Sequence, residues 1–165
     1  MKNAEFKIGR AWIEVNRNNL CHNVEILKKA MQPGCELMAV VKAQAYGHGA
    51  VLTASHLNKM GVRAFAVATV DEGIALRKSG ICGEILILGY TEAGRASELK
   101  DYDLMQTLIS FEYAEVLNNQ GIAVKVHIKI DTGMHRLGIA SGELSAVRKV
   151  FFMENLKVYG MFTHL

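Results

Sequence analysis

Short apolar, β-branched runs alternate along this chain with longer amphipathic segments, the pattern of successive β–α units around a parallel sheet. Six such runs end near Lys42, Thr69, Gly89, Thr107, Asp131 and His164, and each of the first five leads into a stretch with helical spacing. Residues 12–15 read as an earlier strand outside the series. Leu20, Val24, Leu27 and Met31 recur at helical spacing, which predicts a helix with that stripe in the core and Pro33-Gly34 as its stop. Thr69-Val-Asp-Glu72 has the form of a capping box with Gly80 as the following stop, and Ser110 and Gly121 bracket another helix.

The last run, Tyr159-Gly-Met-Phe-Thr-His-Leu165, has the form of a strand delivering His164 to a site, with no helix after it. A parallel sheet with a bare edge invites edge-to-edge association, whereas eight such units close into a barrel and remove the edge. The expected fold class is therefore α/β, the front part of a (β/α)8 TIM-type barrel. Residues 1–165 would form its N-terminal portion, with the remaining strands in a longer protein. A doubly wound open sheet is the alternative, but the G-x-G-x-x-G fingerprint is missing, Gly47-His-Gly49 being only half of it, and no P-loop occurs.

Composition narrows the setting. Half of the 165 residues are apolar, a fifth are charged and the net charge is +3 with the basic residues scattered, so no stripe points to a nucleic acid or an anionic membrane. Three cysteines without a C-x-x-C pair argue against a disulfide framework and for a reducing, cytosolic compartment. No apolar run is long enough to span a bilayer.

The chemistry-bearing segments lie where strands end. Ala39-Val-Val-Lys42-Ala-Gln-Ala-Tyr46-Gly-His-Gly49 brings a lysine to the end of an apolar run, followed by a small-residue turn. A lysine so placed presents a nucleophilic amine to a carbonyl, although a strand-end lysine that simply reaches water fits the same pattern. In the fifth run Val124, Val126, Ile128 and Ile130 share one face, and Lys125, His127, Lys129 and Asp131 the other. Four polar groups on a barrel strand mark a functional lining, or an edge strand with that face in water. Thr132-Gly-Met-His-Arg-Leu-Gly-Ile139 follows, and Arg136 in it offers a fork for a carboxylate or phosphate, or is a solvated loop residue. The histidines lack metal-ligand spacing, and neither a G-x-S-x-G elbow nor a catalytic-cysteine signature is present, so no metal site is expected.

Three segments, residues 39–49, 127–139 and 160–164, resemble successive signature segments of the alanine racemases in order and separation. The resemblance implies an eight-stranded barrel holding pyridoxal 5'-phosphate (PLP), a following β-rich domain, and a homodimer that shares its active sites. It implies interconversion of L- and D-alanine, or L- and D-serine, by a two-base mechanism, supplying D-amino acid for cell-wall precursors. By this likeness Lys42 forms the Schiff base and acts as one base, and Tyr46 hydrogen-bonds the phosphate. Lys129 matches a lysine that is often carbamylated, Arg136 contacts the cofactor oxygen and the substrate carboxylate, and His164 lies beside the pyridine ring. The second base belongs to a region after this chain, so the chain alone is expected to be inactive. Gln44 stands where the family usually has Asn, and His135 where Gly is common; the loop with His135 is similar to that of the serine/alanine racemases of vancomycin resistance, in which the racemase is the cytoplasmic part of a membrane protein. A non-catalytic PLP-binding or carrier protein, or a PLP-barrel decarboxylase, are the alternatives.

Overall fold

The computed structural model describes residues 10–165. Six parallel strands make an open, curved sheet in the order β1 (Met38–Val40), β2 (Ala64–Val67), β3 (Glu84–Ile87), β4 (Met105–Leu108), β5 (Val124–Asp131), β7 (Leu156–Phe162). A two-residue strand, β6 (Ile139–Ala140), pairs with the C-terminal end of β5. These are the six runs expected from the sequence, each strand ending within a few residues of the expected position.

Helices fill the crossovers: α2 (Lys42–Tyr46) and α3 (Ala50–Lys59) after β1, α4 (Val70–Lys78) after β2, a 3₁₀ turn and α5 (Ala96–Asp101) after β3, α6 (Phe111–Asn118) after β4, and α7 (Leu144–Val150) after β5. Local chemistry sets their ends. The Thr69 hydroxyl accepts from the Glu72 N–H at 3.3 Å, and the Ser110 hydroxyl from the Tyr113 N–H at 3.1 Å, each satisfying a donor that the first helical turn leaves free. Gly80 and Gly121 take positive φ just beyond the helix ends.

The main core lies between the sheet and the helices, where Phe65, Val67, Ile85, Ile87, Leu108 and Ile128 have no exposed surface. Burying each such side chain contributes about 1.5–3 kcal/mol. On the concave side a smaller cluster, Ala66, Leu86 and Met105, fills the barrel floor.

Three expectations need correcting. Residues 12–15 form no strand, and Trp12 and Ile13 are largely exposed; no described strand offers them a ladder of hydrogen bonds. The stripe on α1 (Arg17–Ala30) is core only in part: Val24 is buried, Leu20 packs partly, but Leu27 is half exposed. Helical spacing shows which side chains share a face, not that another element covers it. β1, taken as a buried strand, is only partly covered, because among the described residues it pairs with β2 alone.

The three cysteines are free, and among the described residues no helix is long and apolar enough to cross a membrane.

Candidate active site

Because the strands are parallel, their C-terminal ends open on one side of the sheet, where loops converge. A cleft of roughly 690 Å³ lies there, reached by Lys42, Tyr46, Lys129, Arg136 and His164 together with the apolar side chains at the ends of β1, β2 and β3. The five residues singled out in the sequence thus line one cavity. Its size lies within the usual range for small-molecule sites.

Lys42 opens α2, which is helical in hydrogen bonding but left-handed in sense. Ala43, Gln44 and Ala45 have φ/ψ of 49/50, 56/40 and 50/47, and Tyr46 has φ 55. The left-handed region costs an L-residue roughly 1–2 kcal/mol, so the four together store on the order of 4–8 kcal/mol. Such strain persists only where the surroundings over-determine it. Here the Ala45 N–H donates to the Val41 carbonyl at 2.9 Å, and the Gln44 carbonyl accepts from Gly47 and Gly49 at 3.1 and 2.7 Å. The Gln44 side chain accepts from the Ala50 N–H at 3.3 Å, tying the turn to α3.

On the concave face of β5 the polar residues divide by depth. Lys125 pairs with Asp103 at 2.6 Å at the closed end. His127 is half-buried beside Phe162, and burial pushes its imidazole below the usual histidine range, favouring the neutral ring. Its ring occupies the space above Gly160, where a Cβ would approach within 2.9 Å. Lys129 is 5 % exposed; its Nζ donates to the Ile130 carbonyl at 2.9 Å and lies 5.7 Å from the Phe162 ring centroid. Of the polar residues on this face, His127 and Lys129 thus line the cleft.

Asp131, grouped with the site residues by its place at a strand end, turns away from the cleft. Its carboxylate accepts the Gly133 and His135 N–H groups, both at 3.0 Å, and these hold it below the usual carboxylate range. It caps the loop that carries Arg136. His135 takes φ 53 in that loop, which explains why glycine suits the position. Gly138 has no room for a side chain, since a Cβ would lie 2.8 Å from both the Asp131 nitrogen and the Lys129 carbonyl oxygen. The Thr132 hydroxyl donates to Thr163, whose own hydroxyl donates to the Ile130 carbonyl, fixing the segment that carries His164 beside β5.

The sequence reading missed Glu72. A capping box would send its carboxylate back to the Thr69 N–H. Instead one oxygen accepts from the Ala43 N–H and the other from the Ala68 N–H, each at 2.7 Å. Only the first half of the box forms.

The electrostatics of the cleft have one sign. Among the described residues Lys42, Lys129 and Arg136 line it, no carboxylate does, and no acidic side chain forms an ion pair with any of the three.

Residues 15–165 match the family model described as alanine racemase, N-terminal domain. The chain is 56% identical over 156 residues to an amino-acid racemase of Enterococcus faecalis, covering 94% of this chain and 22% of that protein. It is 41% identical to a serine/alanine racemase of Enterococcus gallinarum, covering 96% of this chain and again 22% of the relative. Among solved structures, alanine racemase from E. faecalis superposes with a TM-score of 0.84 at 36% identity, over 92% of this chain and 43% of that one. The chain thus spans about a fifth to two fifths of the relatives it matches. With the family model matching nearly its whole length, this chain belongs to the alanine racemase family, within its N-terminal part.

Proposed function

We propose that this domain is the cofactor-holding part of a PLP-dependent amino-acid racemase acting on a small substrate, alanine or serine. The observation that carries the reading is the cleft's charge: among the described residues every formally charged side chain lining it is a cation, and one of them, Lys42, stands on a strained turn at the mouth.

The residues fit the cofactor. A phosphorylated pyridine aldehyde asks for an amine, a cationic surround and a flat apolar wall, and Lys42, Arg136 and the Ala66, Leu86 and Leu88 side supply these. When bound, PLP acts as an electron sink that acidifies the α-hydrogen of an attached amino acid.

The chain's own groups have the following roles. Lys42 would hold the cofactor through its amine and would take and return a proton at its Nζ on one face. Tyr46 would offer its hydroxyl to the phosphate, and His164 would hold the ring. Arg136 would present its guanidinium to the substrate carboxylate and to the cofactor, a task for which its planar fork is suited. Lys129, as a carbamate, turns a buried cation into an anion able to orient that fork. Racemisation needs a second base on the opposite face, and in the family that base reaches in from the partner subunit. The working assembly is therefore a homodimer.

The test is chemical trapping. In the full-length protein loaded with PLP, borohydride should bleach the visible band and leave a reduced adduct on Lys42, and Lys42→Ala should show neither band nor racemisation of alanine or serine. An adduct on another lysine would sink the assignment.

A further inference from the structure

We infer that Glu72 is a positioning residue for the Lys42 amine, its carboxylate clamping the first N–H of the left-handed turn to the end of β2. The inference rests on the PLP reading of Lys42 and adds a residue to it. Glu72 sits in the first turn of α4, one crossover away from Lys42 in sequence. A glutamate there ordinarily favours the helix terminus by its charge and folds back onto the cap residue. This one does neither alone. Its two oxygens bridge Ala43 N–H and Ala68 N–H, so the peptide that directly follows Lys42 is fixed against the strand next to β1.

The direction of the Lys42 side chain depends on that peptide. Four consecutive residues from Ala43 lie in the left-handed region, and among the described residues Glu72 is the acceptor for the N–H that begins it. Without the clamp, relaxation of Ala43 toward right-handed backbone would free the peptide that follows Lys42 and loosen the seat of its amine. A bond from a carboxylate to a backbone N–H is among the stronger kinds, and two N–H donors on one carboxylate leave no place for an amide. Glutamine at this position would face one donor with its own NH₂ group.

The experiment compares the full-length protein with Glu72→Gln, Glu72→Asp and Asp71→Asn. Asp71 is the control for charge at the same helix terminus, since among the described residues it bonds only Arg95, across the surface. Three quantities are read: amide hydrogen exchange at Ala43 and Ala68, the rate at which apoprotein given PLP acquires a borohydride-reducible adduct on Lys42, and kcat apart from KM. In Glu72→Gln, exchange at Ala43 should rise by about tenfold or more, as for loss of one charge-assisted hydrogen bond. Capture by Lys42 and kcat should each fall by about tenfold, with KM changed less than about twofold. Asp71→Asn should match the wild type in all three. Should the glutamine variant not fold, Glu72→Asp keeps the helix-terminal charge but withdraws the oxygens by one bond, and the same changes are expected.

Protection of Ala43 equal to wild type in a folded Glu72 variant overturns the clamp. So does unchanged capture together with unchanged kcat, which would leave Glu72 a helix cap. If wild-type protein forms no adduct on Lys42, the PLP reading fails instead, and the exchange data alone then decide whether the clamp exists.

Discussion

Two lysines on one face of β5, four residues apart, have opposite surroundings. Lys125 meets the Asp103 carboxylate at 2.6 Å and the Tyr159 ring at 5.2 Å, and the bond to Asp103 holds its ammonium above the usual lysine range. Lys129 is nearly buried, yet one backbone carbonyl is the single acceptor for its three donors among the described residues, with the Phe162 ring beside it. A buried cation without a carboxylate is costly unless something else neutralises it. The difference teaches how the strand is divided. Its start is built to hold, and its end keeps an amine with a single backbone acceptor facing the cleft, in keeping with stability at one mouth of such barrels and chemistry at the other.

The sharpest attempt to break this division is at the cleft end. Arg136→Lys keeps the charge and loses the planar fork, so in the full-length holoenzyme it should retain the Lys42 adduct while kcat/KM falls by roughly 10²-fold, about 2.7 kcal/mol. Unchanged steady-state kinetics with alanine and serine would make Arg136 a solvated loop residue.

Lys129 gives the next largest effect. Labelled bicarbonate should produce a carbamate carbon signal that Lys129→Met abolishes, and the variant should lose roughly tenfold in kcat/KM. Its melting temperature should hold or rise, since a buried, poorly partnered amine has been replaced by an apolar chain of similar length. No carbamate signal in the wild type would refute the modification.

Lys125→Met should have the smallest effect. Asp103 is 64% exposed, so water screens the pair and its loss should cost less than about 1 kcal/mol, with kcat unchanged. The sign with pH follows from the raised lysine. Its contribution is fully present below the ordinary value of 10.5 and is lost as pH rises through the higher folded-state value. Urea unfolding across that alkaline range should show a decline in the wild type that Lys125→Met flattens; parallel curves would remove the pair from the stability account.

Much of this arrangement could be read from residue patterns, for definite reasons. The period-2 split of Val124, Val126 and Ile128 from Lys125, His127 and Lys129 survives folding, because a strand's alternation places each set on one side of the sheet. The cleft position of Lys42 and Arg136 follows from strand ends in a parallel sheet. Other features depend on contacts across the chain. Nothing in Ala43-Gln44-Ala45 favours positive φ, and alanine is the best right-handed helix former, so the turn's hand is imposed by Glu72, Gln44 and the glycines after it. Glu72 itself had the spacing of a cap, and only the nearness of Ala43 in space redirects it. Leu27 had the spacing of a core residue, but coverage is a property of neighbours.

Reflection gives the turn under Lys42 another meaning. Changing the signs of its φ/ψ pairs, 49/50, 56/40 and 50/47, yields ordinary right-handed helix, so the segment is one coil of mirror-image helix made from residues of the usual chirality. The penalty falls on each Cβ, and two of the three positions are alanine, the smallest chiral residue. D-alanine would occupy the same backbone free of strain. In a family whose members are named for inverting alanine, Lys42 stands on a pedestal whose hand belongs to the other enantiomer.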